Sequence, residues 1–194
     1  MALPAAVGSD EAAAGYTLVE MTTALMLVAV IAGASVPQLR AGLADSRVLS
    51  AARYVAARMQ GARSDAVTHG QGVALRVVIR GQEVFLTAYR DGNRNGVRTI
   101  DITTAQDPQV DAEVPIGGLF PHVYAGAADG TIPPPVGGEA AALFAFTPAG
   151  TASSGTVYLR GDGPAQYAVR VLGATGRVRV LRFAAAVGDW VDVR

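Results

Sequence analysis

The chain has 194 residues, enough for one ordinary domain plus a terminal extension, and its sixteen acidic and sixteen basic residues cancel to a formal net charge of zero. It has no cysteine, which excludes a disulfide framework, a thiolate metal site and a cysteine nucleophile. Every basic residue is Arg, and the two histidines, His69 and His122, are not paired with a recognisable nucleophile. No phosphate-cradling glycine loop of either standard spacing occurs, so the sequence points away from an enzyme.

The first predicted element opens at Gly15-Tyr16-Thr17-Leu18-Val19-Glu20 and continues as an uncharged run from Met21 to Leu39. That run is close to the about twenty apolar residues that cross a bilayer core as a helix. Glu20 stands at its start, and a carboxylate at membrane depth reads as a functional site in need of a partner. A secretory signal would have a basic start and small residues after its apolar core. Here Ala14 and Gly15 precede the core, residues 1–15 carry Asp10 and Glu11, and no basic start is present. Arg40, Arg47 and Arg53 follow the run, and the positive-inside rule alone would keep the C-terminal part in the cytoplasm.

Gly15, Tyr16, Glu20 and Pro37, in this register ahead of an apolar run, resemble the class III signal of type IV pilins and pseudopilins. The resemblance implies cleavage after Gly15 by a prepilin peptidase and methylation of the new Tyr16 amine. It implies assembly roles for Glu20 and Pro37, and a C-terminal domain facing outward from the membrane despite the charge bias. Removing residues 1–15 would tip the balance to basic. Glu20 could then neutralise the Tyr16 amine of its own or a neighbouring subunit, which avoids two bare charges in hydrocarbon. The plainer alternative is a glutamate snorkelling to the headgroups.

After Pro37, Ala41, Ala44, Val48, Ala52, Val55, Met59, Ala62 and Ala66 recur at steps of three and four, the mark of one buried helix face. With His69 and Gly70 as a stop signal, the pattern predicts one helix from Tyr16 to Thr68, roughly 80 Å long. Proline removes a helix hydrogen bond, so a kink or melted stretch is expected near Gly33–Pro37. From Gly72 onward the period changes to that of strands: Val73–Ile79 and Glu83–Tyr89 as a hairpin, then a short strand at Val97–Ile102. Asp107–Pro115 reads as loop, Gly117–Tyr124 is ambiguous, and residues 126–138, with Pro133–Pro135, cannot form a central strand. Ala142–Thr147, Thr156–Arg160, Tyr167–Leu172 and Arg177–Phe183 complete the strands, the last pair joined at Gly173–Gly176. The expected class is α+β: a long N-terminal helix, membrane-spanning in its first half, packed on a C-terminal antiparallel β head of two small sheets. Its divisions are a leader at 1–15, a transmembrane half-helix at 16–39, an amphipathic half-helix at 40–69 and the head at 70–194.

Two motifs in the head could carry chemistry. Asp91-Gly92-Asn93-Arg94-Asn95-Gly96 matches the first half of a calcium loop, in which oxygens at alternate positions converge on one ion. Ile102 holds the place of the final glutamate and Asp101 falls one residue early, so the candidate ligands are Asp91, Asn93, Asn95 and Asp101. The alternative is an Asx-rich turn. No other cofactor is indicated. In Gly176-Arg177-Val178-Arg179, Arg177 and Arg179 share one face of a strand. With Arg182 following, they could attract phosphate. The commoner explanation is a solvated polar face.

Phe146-Thr147-Pro148-Ala149-Gly150-Thr151-Ala152 and Gly155-Thr156-Val157-Tyr158-Leu159, after a long N-terminal helix, resemble the GspH/FimT group of minor pilins and pseudopilins. That resemblance implies a minor structural subunit of a type II secretion pseudopilus, anchored in the bacterial inner membrane with its head in the periplasm. It implies other pseudopilins and an inner-membrane assembly platform as partners. The alternative within the group is a minor pilin of a type IV pilus, in which the Gly-Arg-x-Arg stretch resembles one associated with DNA uptake.

Overall fold

The computed structural model describes residues 15–127 and 139–193 and, for residues 34–37, 40, 139 and 140, the backbone alone. The expected leader apart from Gly15, and the expected connection at 126–138 apart from its first two residues, lie outside the described residues. The chain divides into two compact units, residues 1–40 and 41–194. Helix α1 (Leu18–His69) contributes to both, and its backbone is helical at every position, Gly33 and Pro37 included.

In the first unit the apolar side chains face outward. Leu18, Val19, Leu25, Met26, Val30 and Ile31 are all exposed. Among the described residues, no helix is long and apolar enough to cross a membrane. The side chains described from Met21 to Gly33 would extend about 20 Å, short of the roughly 30 Å of a bilayer core.

The second unit is built on the opposite pattern. From Val48 the helix buries Val48, Ala52, Val55, Met59, Ala62 and Ala66 at the predicted spacing, and Ala51 and Ala56 widen the stripe. Ala41 is exposed and Ala44 half-buried, so the buried face begins one to two turns later than the periodicity suggested. The many alanines let the strands approach the helix closely. One four-stranded antiparallel sheet has the order β3 (Val114–Pro115), β2 (Glu83–Arg90), β1 (Val73–Arg80), β5 (Glu139–Phe146). A five-stranded sheet has the order β4 (Tyr124–Ala125), β6 (Gly155–Arg160), β7 (Gln166–Leu172), β8 (Arg177–Ala184), β9 (Asp189–Asp192). Alternate residues of both sheets meet the helix stripe in one core: Val73, Leu75 and Val77 with Phe144 and Phe146, and Val157 and Leu159 with Tyr167, Val169 and Val171. Each large side chain withdrawn in this way contributes about 1.5–3 kcal/mol of transfer free energy.

One predicted strand is corrected. Val97–Ile102 does not extend; Thr99–Thr103 forms a short helix, α2. The Arg98 amide is held by Asp107, Ile102 and Thr104 amides bond back to Arg98 and Ile100, and the Thr103 and Thr104 hydroxyls bond the Ile100 carbonyl. Those local bonds override the β preference of Thr and Ile. The ambiguous stretch before Tyr124 contains a single turn, α3 (Ile116–Leu119), which buries Ile116.

Tyr167 ties helix to sheet. Its hydroxyl donates to Asp45 Oδ1 at 2.8 Å, and Arg182 Nη2 donates to Asp45 Oδ2 at 3.4 Å. Burial, reinforced by the hydrogen bond and charge of Asp45, pushes the phenol up to about 12. A tyrosine in the unfolded chain ionises near 10, so the unfolded state sheds its proton first. The resulting stability is complete below about pH 10 and is lost as the pH rises toward 12. The chain has no Lys to titrate in the same window. The melting temperature should therefore fall steeply across that window. Tyr167→Phe should start about 1 kcal/mol less stable, having lost one hydrogen bond, and show a shallower fall. Parallel profiles by circular dichroism would refute the assignment.

Candidate functional site

The N-terminus of α1 is closed by Thr17. Its Oγ1 accepts the Glu20 amide at 3.2 Å, while Glu20 Oε2 accepts the Thr17 amide and hydroxyl, each at 3.4 Å. The Thr17 carbonyl accepts the first helical bond from Met21. This is a reciprocal capping box, Thr-x-x-Glu. The spacing is readable in Thr17-Leu18-Val19-Glu20, and it gives Glu20 a partner within its own helix end. Tyr16 beside it is 78% exposed. A methyl group on Gly15 would meet no described atom within 4 Å.

Three aspartates are buried around the loop after β2: Asp91, Asp101 and Asp107. Asp91 Oδ2 accepts the Gly96 amide at 2.8 Å, and Asn93 Oδ1 accepts the Asn95 amide at 3.1 Å. The Asn93 amide donates to Gln106 Oε1, and Gln71 Nε2 donates to the Asp91 carbonyl. Asp107 was not singled out in the sequence. Its two oxygens accept the Gly92 and Arg98 amides, both at 3.0 Å, and brace the two arms of the loop. Asp91 Oδ1 and Asp101 Oδ2 are buried and accept no hydrogen bond. Among the described residues, no three His, Asp or Glu side chains gather as a metal-holding group.

The arginines of β8 separate. Val178 and Val180 pack toward the core, so Arg177 and Arg179 lie on the outer face with Arg170, which stands directly opposite Arg179. Arg182 has the parity of the valines and reaches Asp45, so it does not join the other two. Arg179 Nη1 donates to Asp192 Oδ2 of β9 at 3.1 Å. A groove of about 500 Å³ beside this strand is lined by Arg53, Gln60, Arg177, Arg179 and Asp192. A second, of about 460 Å³, adds Arg63 and Thr175. The histidines lie at the surface, His69 against Asp65 at 2.6 Å and His122 against Asp162 at 3.0 Å.

The sequence matches the family of type II transport protein GspH over residues 51–176, well over half of its length. The chain belongs to the GspH family. No curated protein and no solved structure matches it significantly. The GspH match takes in most of the buried part of α1, from Ala51 on, with the first sheet, the acidic loop and strands β6 and β7. Arg177, Arg179 and Arg182 lie beyond its end, and Gly15, Tyr16, Glu20 and Pro37 lie before its start. GspH proteins are structural pseudopilins, and this chain is a pseudopilin-like minor subunit of type II secretion.

Proposed function

We propose that this GspH chain is made as a precursor that a prepilin peptidase cuts between Gly15 and Tyr16, with methylation of the new amine. It is then held as a single-pass protein of the bacterial inner membrane, its β-rich head in the periplasm. From there it joins a type II secretion pseudopilus as a minor structural subunit, with other pseudopilins and the inner-membrane assembly platform as partners. The observation that carries this reading is the run of exposed apolar side chains from Leu18 to Ile31. Such a surface is unfavourable in water and calls for lipid or neighbouring helices. Deleting the gene should abolish release of type II substrates and spare twitching and transformation; the reverse pattern would assign the chain to a type IV pilus.

A second reading, a DNA-binding minor pilin, is favoured by Arg177 and Arg179 on one face with Arg53 and Arg63 along the adjoining grooves. Asp192 on Arg179 and Asp45 on Arg182 weigh against it. The full chain in detergent should leave duplex DNA unshifted in a gel at physiological salt. A retarded band that vanishes in Arg177→Ala/Arg179→Ala, with a salt slope lower by about two, would favour DNA uptake instead.

A further inference from the structure

We propose that the loop from Asp91 to Asp107 binds a hard divalent cation, calcium in preference to magnesium, with Asp91 Oδ1 and Asp101 Oδ2 as its carboxylate ligands. Asp91, Asp101 and Asp107 are 4%, 7% and 1% exposed, and none of them forms an ion pair among the described residues. Arg94 and Arg98, close in sequence, point to solvent. Buried carboxylates without a counter-charge are costly, and they persist when paired or bound to a metal. Asp107 is satisfied by two loop amides and is not counted among the ligands.

The two remaining oxygens are buried and accept no hydrogen bond, and the loop that begins at Asp91 has the turn of a calcium loop. Gly96, sixth in the D-x-[DN]-x-[DN]-G spacing, has φ +86° and turns the chain sharply, the role that glycine has in calcium loops. Its amide occupies Asp91 Oδ2 and leaves Oδ1 available, while the Asn95 amide fixes the Asn93 carbonyl oxygen. Val97 falls where this spacing uses a backbone carbonyl as ligand. Asp101, one residue before the usual carboxylate position, is turned inward by α2. An all-oxygen donor set without His or Cys suits calcium, which accepts irregular coordination, better than magnesium or a transition metal. Two carboxylates rather than three or four predict a weak site.

The test is calorimetry and thermal melting of the full chain in detergent after EDTA treatment, with calcium chloride as titrant and magnesium chloride as control. One calcium should bind with a Kd of about 0.1–1 mM, the range of extracellular calcium modules, and raise the melting temperature; magnesium should bind at least tenfold more weakly. Asp91→Asn and Asp101→Asn should each weaken calcium binding about tenfold or more while melting no lower than the wild type in EDTA, since each removes an uncompensated buried charge. If either is unfolded in EDTA, Asn93→Ala, at an exposed position, gives the same readout. The site is refuted by no heat and no melting shift at about ten times that Kd. It is equally refuted by calcium binding that the folded variants retain in full. Neither result bears on whether the chain enters a filament.

Discussion

Gly92→Ala should destabilise the head more than any other single methyl addition in the acidic loop. A Cβ at Gly92 would lie 1.9 Å from the Gln106 carbonyl oxygen, 3.1 Å from its carbon and 3.2 Å from Pro108 Cδ. The obstacle is backbone, and that backbone is held: Gln106 and Asp107 amides both bond to the Asp101 carbonyl. Asp107 in turn holds the Gly92 amide, so the methyl group cannot be accommodated without opening the bracing between the two arms. Overpacking of this kind costs about 1–3 kcal/mol where side chains can adjust, and more where they cannot. We expect at least 3 kcal/mol, a melting temperature lower by about 6–12 °C. Gly96→Ala is the control: its Cβ meets nothing within 4 Å, and only the φ of +86° opposes it, a strain of about 1–2 kcal/mol. Equal melting temperatures for the two variants would contradict the packing described for this loop.

Glu20→Ala should be cleaved normally yet enter filaments at least tenfold less than the wild type. The capping box complicates the test, because Glu20 also bonds to Thr17. At an exposed helix end such a cap is worth about 0.5–2 kcal/mol. Removing one partner of a buried ion pair costs about 3–5 kcal/mol. Glu20→Gln separates the two roles, since its amide oxygen keeps the cap and loses the charge. If pairing with the Tyr16 amine drives assembly, Gln fails as badly as Ala, and Thr17→Ala assembles almost normally. If capping is the whole role, Gln rescues and Thr17→Ala fails. Immunoblots of isolated filaments against total membrane protein measure the difference.

The features legible in the sequence are those written as periodicity. Val48 to Ala66 on one helix face, and the apolar, β-branched runs of β1, β2, β6 and β7, were readable because each segment is buried or half-buried along most of its own length. The exposed run after Glu20 was equally plain as composition. What escaped depends on partners distant in the chain. Strand β9 contains two aspartates, a poor strand composition. It is held by pairing with β8 and by Trp190, whose ring lies 5.4 Å from Tyr158 and 5.3 Å from Phe183. Asp107 reads as part of a loop in sequence, because the amides its carboxylate bridges, Gly92 and Arg98, lie well before it in the chain. Strand parity did predict that Arg177 and Arg179 share a face; the same parity sets Arg182 on the other, where Asp45 of the helix receives it. The turn at Thr99–Thr103 was misread because its stabilising bonds run to its own carbonyls and to Asp107, a competition that propensity does not register.

The most direct test is the intact mass of the protein recovered from cells with a working prepilin peptidase. The account predicts a chain that begins at Tyr16 and carries one added methyl group. A chain still bearing residues 1–15 would contradict it, and the exposed apolar helix would then need another explanation than assembly into a pseudopilus.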